Sequence, residues 1–383
     1  MKTQIQFTFL FFVLLFSIPV FAQDSIQVKK EKDKKYIKYL NLRFENGAML
    51  GNGSEIGDQV VNSSYYNGFD ARLGFRKMNA NDVYSNVYRR PYMGVGWYAS
   101  TFHNSEIGKP HAIFYFLTIP VKFEGAKKLS FAYSGAFGLS YQFNPFDSIQ
   151  NPANIFIGSY RNCYVHLGFE ADYKISPKWQ LNATIGFKHF SNGSFKQPNY
   201  GINLVPLTLG VRYKFSEDEI LPEPTPIPEF KKYNLWNVML AFGSKNYVNN
   251  DPNYMKMTLG VNYLRAVNYK YRIGIGVDMF YSAAADLRTG TGSAGFGDAF
   301  SVAVVPNWEW VVSKKVYIPL GIGIYLHHNK FNDERYGFYE RAGIRYRITD
   351  HLAAGVTIKA HKGVADYFEW TVGYTFHNDP NQY

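Results

Sequence analysis

The sequence has little of what disulfide-bonded, metal-binding or helical membrane proteins require. It contains one cysteine, Cys163, which cannot form an intramolecular disulfide, so the chain is not a disulfide-stapled scaffold. Beyond residue 22 no apolar run approaches the ~20 residues of a membrane-spanning helix, which excludes a bundle of transmembrane helices. It also has no zinc-ligand spacing, nucleotide-phosphate loop or nucleic-acid-binding module, so we expect no metal, no cofactor and no nucleic-acid partner.

The start of the chain and its composition point to an exported membrane protein. Residues 1–22 combine a charged beginning, an apolar stretch and small residues before Gln23, which is typical of a cleaved secretory signal peptide. The chain is rich in Tyr (31), Phe (32) and Gly (33), and beyond the leader it alternates polar and apolar residues. For an exported chain this predicts an all-β fold, a transmembrane antiparallel β-barrel with aromatic girdles. The net charge of +11 suits contact with anionic lipid head groups and equally suits a soluble surface.

Strict alternation predicts eight strands in each half of the chain. In the first half they span 36–50, 64–78, 89–102, 111–125, 129–144, 162–175, 179–192 and 202–215. In the second half they span 233–248, 254–267, 271–287, 299–312, 316–331, 337–348, 352–363 and 365–376. Between the halves, residues 216–232 contain acidic side chains and four prolines and are typical of an extended linker. We therefore predict two tandem eight-stranded barrels, over 23–215 and 233–383, with one sixteen-stranded barrel as the alternative.

Loop lengths and internal similarity support a duplicated barrel. Turns after even-numbered strands are short, such as 176–178 and 313–315, whereas loops after odd-numbered strands are long, such as 144–161. This asymmetry predicts that the short turns face the periplasm, and the stretch 79–88 is the exception. Both halves end on an aromatic-terminated strand, and Phe376 resembles the signal that the barrel-assembly machinery recognises. We therefore expect that machinery as a partner during biogenesis.

One polar segment at the end of strand seven is a candidate for chemistry. Side chains alternate across a strand, so His189 and Ser191 share a face with the apolar Phe187. The apolar face of a membrane barrel is its outside, so we expect both polar residues on the lipid-facing wall, where polar groups are costly and often functional. There a histidine base can activate a serine nucleophile toward an ester in the outer leaflet. The alternative is that Ser-Asn-Gly at 191–193 is ordinary turn chemistry at a strand end.

The stretch HFSN at 189–192, continued by KQPN at 196–199 and GI at 201–202, resembles the active-site segment of the lipid A 3-O-deacylases. These acyloxyacyl hydrolase-like enzymes are eight-stranded outer-membrane esterases that remove the acyl chain esterified at position 3 of lipid A. The resemblance implies a location in the bacterial outer membrane, lipopolysaccharide of the outer leaflet as the substrate and no cofactor. It covers strands seven and eight of the first half and does not extend recognisably over the second half.

The resemblance also implies roles for individual residues. By position it makes His189 the general base and Ser191 the nucleophile. Three more residues fall near the family's proposed oxyanion hole: Asn192, Gly193 and Asn199. The family's third catalytic member is a glutamate, whereas this sequence has Asn203 there. An amide orients the histidine but supplies no charge for the imidazolium, so Asn203 predicts a slow enzyme, help from another carboxylate or a barrel that has lost activity.

A non-catalytic barrel with a structural, lipid-binding or transport role is the alternative function. The amide in place of the acid supports it, as does a second half in which no motif repeats the site. Alternation there places Lys359, His361 and Glu369 inside the barrel, which favours an internal polar network over a second active site. The same alternation places Glu170 and Asp172 of strand six in the lumen, so neither is an obvious replacement for the missing acid.

Overall fold

Two sets of eight antiparallel strands make up most of the described chain. The computed structural model describes residues 36–215, 223–334 and 336–381, so the predicted signal peptide lies outside the described residues. The first set is β1 (Tyr36–Leu50), β2 (Asn67–Lys77), β3 (Tyr92–Thr101), β4 (Gly108–Pro120), β5 (Leu129–Phe143), β6 (Asn162–Lys174), β7 (Trp179–Ser191) and β8 (Ile202–Lys214). The second set is β9 (Tyr233–Lys245), β10 (Tyr254–Ala266), β11 (Tyr271–Ser282), β12 (Phe300–Val311), β13 (Val316–His327), β14 (Phe338–Arg347), β15 (Leu352–His361) and β16 (Val364–His377). Short helices are α1 (Glu55–Asn62), α2 (Val83–Val87), α3 (Ala285–Arg288) and α4 (Phe296–Ala299), with a 3₁₀ turn at Lys330–Asn332.

Each set of strands closes on itself. In the first barrel the ladder between β1 and β8 places Phe44 opposite Leu209, and in the second the ladder between β9 and β16 places Trp236 opposite Phe376. The prediction of two eight-stranded barrels is therefore confirmed, and the sixteen-stranded alternative is wrong. A single larger barrel would need β8 to pair with β9, but both edges of each strand are already paired within its own barrel. Within the described ranges, no helix is long and apolar enough to cross a membrane.

Alternation along each strand separates an apolar outer face from a charged interior. On β8, Leu207 is 57% exposed, whereas the neighbouring Thr208 is fully buried. The interior of an eight-stranded barrel is filled by side chains, and buried charges there must be paired. In the first barrel Arg212 lies 2.7 Å from Asp172 and 3.2 Å from Glu170, measured from guanidinium nitrogens to carboxylate oxygens. The two carboxylates are thus luminal, as predicted.

The interior of the second barrel is a network of the predicted polar residues. Lys359, His361 and Glu369 are all buried. Lys359 Nζ lies 3.2 Å from a carboxylate oxygen of Asp366, and Glu369 pairs with Arg341 Nε at 2.8 Å. His361 Nε2 lies 3.1 Å from the Tyr325 hydroxyl, so all three side chains are paired with other polar groups inside the barrel, which agrees with a structural network and not with a second active site.

The long turn between β2 and β3 contacts the second barrel. We call the barrel end with the turns after even-numbered strands the turn end, and the opposite end the loop end. The long turn contains α2, whose N-cap Asp82 accepts a hydrogen bond from the Ser85 N–H. Just after α2, the Tyr88 hydroxyl donates to the Val311 carbonyl at 2.6 Å and accepts from Trp310 Nε1 at 2.7 Å. Burial raises the pKa of Tyr88, so the hydroxyl keeps the proton that it donates.

Candidate active site

The candidate site lies at the loop end of the first barrel, at the junction of two paired strands. β7 ends at Ser191, β8 begins at Ile202, and residues 192–201 connect them. The antiparallel ladder places His189 directly opposite Asn203. Opposite residues of paired strands have Cβ atoms roughly 5 Å apart, so the register alone brings these two side chains within hydrogen-bonding reach.

Two hydrogen bonds join Ser191, His189 and Asn203 in a row. His189 Nε2 lies 2.8 Å from Ser191 Oγ, and His189 Nδ1 lies 2.7 Å from Asn203 Oδ1. An amide oxygen can only accept, so Nδ1 carries the proton and Nε2 offers its lone pair to the serine hydroxyl. This is the tautomer that a general base toward Ser191 requires.

His189 and Ser191 belong to the outward face of the barrel and not to its lumen. They share strand parity with Phe187, which is 38% exposed, and the Phe187 ring stacks beside the imidazole with ring centroids 6.5 Å apart. Between them Lys188 points inward, where it is fully buried and pairs with Glu45. Ser191 is only 5% exposed, so its hydroxyl lies on the outer wall but is shielded from bulk solvent.

The connecting loop is folded around Asn192. The Asn192 side chain donates to Ser159 Oγ and to the Lys196 carbonyl, both at 2.9 Å. Its backbone N–H donates to Asn199 Oδ1, also at 2.9 Å, and is therefore already engaged. The buried Nδ2 group of Asn199, in contrast, has no hydrogen-bond partner among the described residues. A buried donor without a partner is costly and needs a reason, of which a catalytic role is one.

Two glycines let the loop pass close to its neighbours. Gly193 has φ +61° and Gly201 has φ +76°, a region that residues with a side chain rarely adopt. A Cβ atom at Gly201 would lie 2.7 Å from His189 Cε1, and one at Gly193 would lie 2.3 Å from the Phe368 ring. Gly201 therefore lets the backbone pack against the imidazole, and Gly193 lets it pack against the second barrel.

The second barrel contributes hydrogen bonds to the same loop. Ser194 Oγ donates to the Ala365 carbonyl at 2.7 Å, at the start of β16. The Asn246 N–H, in the loop between β9 and β10, donates to the Ser194 carbonyl at 2.9 Å. The Gln197 N–H donates to Asn246 Oδ1 at 3.2 Å. The loop after the serine is thus shared between two barrels.

Sequence reasoning identified the strand residues of the site but missed the residues that support them. Ser159 lies 33 positions from Asn192, and Ala365 lies 171 positions from Ser194. These residues belong to no motif and no periodic pattern, so the sequence carried no signal for contacts of this range.

The site has no carboxylate from the nearest acidic strand residues. Glu170 and Asp172 are buried in the lumen and held by Arg212, so neither can take the place of the family's glutamate. In the part of the chain that the structure describes, no group of three His, Cys, Asp or Glu side chains is arranged to hold a metal ion. The arrangement of hydroxyl, imidazole and amide is suited to nucleophilic acyl transfer.

Solved structures similar to this chain are outer-membrane proteins of low sequence identity. Omp33 of Acinetobacter baumannii is 8% identical, with 90% of this chain and 98% of that chain covered and a TM-score of 0.17. The toluene transporter TodX of P. putida is 9% identical, with 91% of each chain covered and a TM-score of 0.18. The COG4313 outer membrane channel from Pseudomonas putida F1 is 9% identical, with 92% and 100% covered and a TM-score of 0.19. At these TM-scores the likenesses carry no argument about this chain.

Family models match both barrels. The model described as lipid A 3-O-deacylase (PagL) matches residues 69–212, and the model described as acyloxyacyl hydrolase, C-terminal domain, matches residues 234–378. The expectation that the resemblance stops at the first half is therefore wrong; it rested on a polar motif that the second half lacks. No curated protein matches the chain. The chain belongs to the lipid A 3-O-deacylase family, whose members are hydrolases of the bacterial outer membrane.

Proposed function

We propose that the protein is a serine esterase that removes an ester-linked acyl chain from lipid A. The observation that carries this proposal is the row of two hydrogen bonds from Ser191 through His189 to Asn203 on the outward face of the barrel. A serine hydroxyl is a weak nucleophile until an adjacent base takes its proton, and the outward face is where a lipid meets the protein. Membership of the deacylase family supports the same activity.

In the proposed reaction Ser191 Oγ attacks the carbonyl carbon of the acyl ester. His189 Nε2 takes the hydroxyl proton as the new bond forms, then gives it to the departing sugar oxygen as the ester bond breaks. A water molecule, deprotonated by the same histidine, hydrolyses the acyl-enzyme and restores the serine. One ester and one water thus become one free hydroxyl on lipid A and one fatty acid.

We assign the oxyanion of this reaction to two donors in the loop. Asn199 is fixed through its Oδ1 contact with the Asn192 N–H, and its Nδ2 group is the unpaired buried donor described above. The second donor is the backbone N–H of Gly193, in the left-handed turn after the nucleophile. Asn192 then holds the loop and does not contact the oxyanion. Removal of one preorganised donor from an oxyanion hole costs about 3 kcal/mol of transition-state stabilisation.

The proposed substrate is lipid A of lipopolysaccharide in the outer leaflet. On the outward face of β7 and β8, Ile185, Phe187 and Leu207 are exposed close to the site. An acyl chain lying along these residues would gain about 0.8 kcal/mol for each CH₂ group that it buries. Its ester carbonyl, at the polar end of the chain, would then be level with Ser191.

Asn203 favours a second candidate function, a non-catalytic barrel with a structural or lipid-binding role. An amide leaves the imidazolium without a compensating charge, which is what a barrel that has lost activity would show. A transport role is less favoured, because buried ion pairs such as those of Arg212 and Lys188 occupy the interior of the first barrel.

We also propose how the mature chain is organised and assembled. Because each barrel closes separately, we divide the chain after the signal peptide (1–22) into a barrel domain with the site (23–215), a linker (216–232) and a second barrel domain (233–383). The outward aromatic residues of β16 end with Phe376, which supports the barrel-assembly machinery as the partner that inserts the protein.

Mass spectrometry of lipid A, incubated with the purified, refolded protein in detergent, tests the proposed function. We expect the wild-type protein to remove one acyl chain. Ser191→Ala should lower that activity by more than about 10³-fold, because it removes the nucleophile. Ser130→Ala is the matched control, since Ser130 is an exposed serine on β5 at the turn end, and it should keep wild-type activity. An unchanged lipid A mass with folded wild-type protein would instead support the non-catalytic barrel.

A further inference from the structure

The loop after the candidate nucleophile is held from outside its own barrel. Among the residues that the structure describes, four hydrogen bonds connect it to the second barrel, and in all four the loop residue is Ser194 or Gln197. Ser194 Oγ donates to the Ala365 carbonyl at 2.7 Å, and the Ser194 carbonyl accepts from the Asn246 N–H at 2.9 Å. Gln197 donates through its N–H to Asn246 Oδ1 at 3.2 Å and through Nε2 to the Asn246 carbonyl at 3.4 Å.

Asn246 is built to hold this loop. It is 3% exposed, and its Nδ2 group donates to the Asp251 carbonyl at 2.8 Å, which orients the amide. Because Nδ2 already donates within the loop between β9 and β10, the Oδ1 atom of Asn246 remains to accept the hydrogen bond from the Gln197 N–H. The one residue therefore contacts both ends of the segment 194–197 through its backbone and its side chain.

Phe368 of β16 supports the loop by packing. Its ring lies so close to Gly193 that a Cβ atom there would be 2.3 Å from Phe368 Cδ2. Such an approach is possible only because Gly193 has no side chain, and it blocks displacement of the Gly193 peptide toward the second barrel. The backbone next to the nucleophile is thus confined by an aromatic ring from another barrel.

The segment held by the second barrel lies between the two proposed oxyanion donors. Gly193 immediately precedes it, and Asn199 follows two residues after it. A shift of the segment would therefore move both donors relative to Ser191. Displacement of catalytic groups by about 1 Å can cost about 10²-fold in rate. Catalysis therefore requires that the position of this segment be fixed.

We propose that the second barrel is a positioning partner of the active site. Asn246 and Phe368 fix residues 193–197 so that the Gly193 N–H and Asn199 Nδ2 point to where the oxyanion forms. Both are positioning residues, since they act on the loop and not on the reacting atoms. This inference rests on the proposed esterase function and gives the second barrel a role in it.

Steady-state deacylation kinetics of Asn246→Ala in the full-length, folded protein tests the inference. We expect kcat to fall 10- to 100-fold because the donors lose their alignment. KM should change less than twofold, because the outward wall that binds the acyl chain is untouched. Asn253→Ala is the matched control, since Asn253 is exposed in the same loop between β9 and β10, and it should behave as wild type.

A second pair of variants guards against simple misfolding. Phe368→Ala removes the ring beside Gly193 and should lower kcat as Asn246→Ala does, whereas Phe368→Leu keeps an apolar side chain there and should retain more activity. A merely structural role would lower the amount of folded protein or the unfolding midpoint, more in Phe368→Ala than in Phe368→Leu, and would leave the kcat and KM of the folded protein as in wild type.

Amide hydrogen exchange of the loop measures, independently of activity, how firmly the second barrel fixes it. In Asn246→Ala we expect the peptide covering 192–201 to exchange at least tenfold faster, while the peptide covering 79–88, at the turn end of the first barrel, exchanges as in wild type. Unchanged exchange would overturn the inference, as would faster exchange with unchanged kcat. If the wild-type protein proves inactive, the proposed function fails, and the exchange result alone still decides whether the second barrel holds the loop.

Discussion

At the scale of single residues, the contact between Asn203 and His189 supplies, in the proposed mechanism, part of what a triad acid supplies. It holds Nδ1 at 2.7 Å from an amide oxygen and so fixes the useful tautomer. In serine proteases, replacing the acid by its amide costs about 10⁴ in turnover because the amide selects the wrong tautomer. In this structure the Asn203 oxygen faces the ring, and what the amide lacks is the negative charge that would stabilise the imidazolium.

Replacing Asn203 by aspartate should make the proposed enzyme faster. The substitution would place a carboxylate oxygen where Oδ1 now lies, and we expect kcat to rise about tenfold or more because the imidazolium gains a compensating charge. Lipid A deacylation rates of Asn203→Asp and wild type give the comparison. Asn203→Leu should be slower than both, and Asn253→Asp controls for added charge at the loop end. Equal rates for Asn203→Asp and wild type would show that the charge is not limiting.

At the scale of strands, the sequence was informative about alternation and uninformative about register. Period-two alternation was enough to find all sixteen strands in order and to assign His189 and Ser191 to the outward face. The predicted third strand, 89–102, was too long at its start because the long turn with α2 continues to Tyr88 and β3 begins only at Tyr92. Alternation also placed Asn203 on the outward face of the adjacent strand, but register depends on pairing between strands, so alternation alone did not predict that His189 lies directly opposite Asn203.

The junction between the loop and β8 offers a test of close packing against the imidazole. Gly201→Ala adds a Cβ atom that would lie 2.7 Å from His189 Cε1, at φ +76°. We expect kcat to fall at least tenfold because the imidazole must move away from Ser191.

The control for this variant is Gly53→Ala. Gly53 has nearly the same φ, +78°, but nothing lies within 4 Å of the added atom. Both variants therefore carry the same backbone penalty of about 1–2 kcal/mol, and only Gly201→Ala disturbs the histidine. Unfolding free energies and deacylation rates of the two variants separate the effects. An equal loss of rate in both would show that strain, and not contact with His189, is responsible.

At the scale of the whole molecule, the class of fold was predictable and the contact between the barrels was not. A predicted export signal, alternation and an even strand count suffice to indicate a membrane barrel, because few other folds satisfy the backbone of such a chain in lipid. In the sequence Asn246 resembles any loop residue and Phe368 resembles any outward aromatic residue, so no sequence pattern indicated that they contact the loop 192–201. The sequence showed that the turn at 79–88 is unusually long. The structure explains this length, because the turn brings Tyr88 into contact with Trp310 of the second barrel.

Contacts at the two ends of the barrels should contribute to different properties. Tyr88→Phe leaves the Val311 carbonyl and the Trp310 N–H at the turn end without their partner, so the unfolding free energy should fall by about 1–3 kcal/mol. The kcat of the folded variant should stay within twofold of wild type, because the contacts of Asn246 with the loop 192–201 remain. Denaturant unfolding and lipid A deacylation measure the two quantities, with the exposed Tyr36→Phe as control. A loss of kcat as large as in Asn246→Ala would mean that the turn end, too, positions the active site.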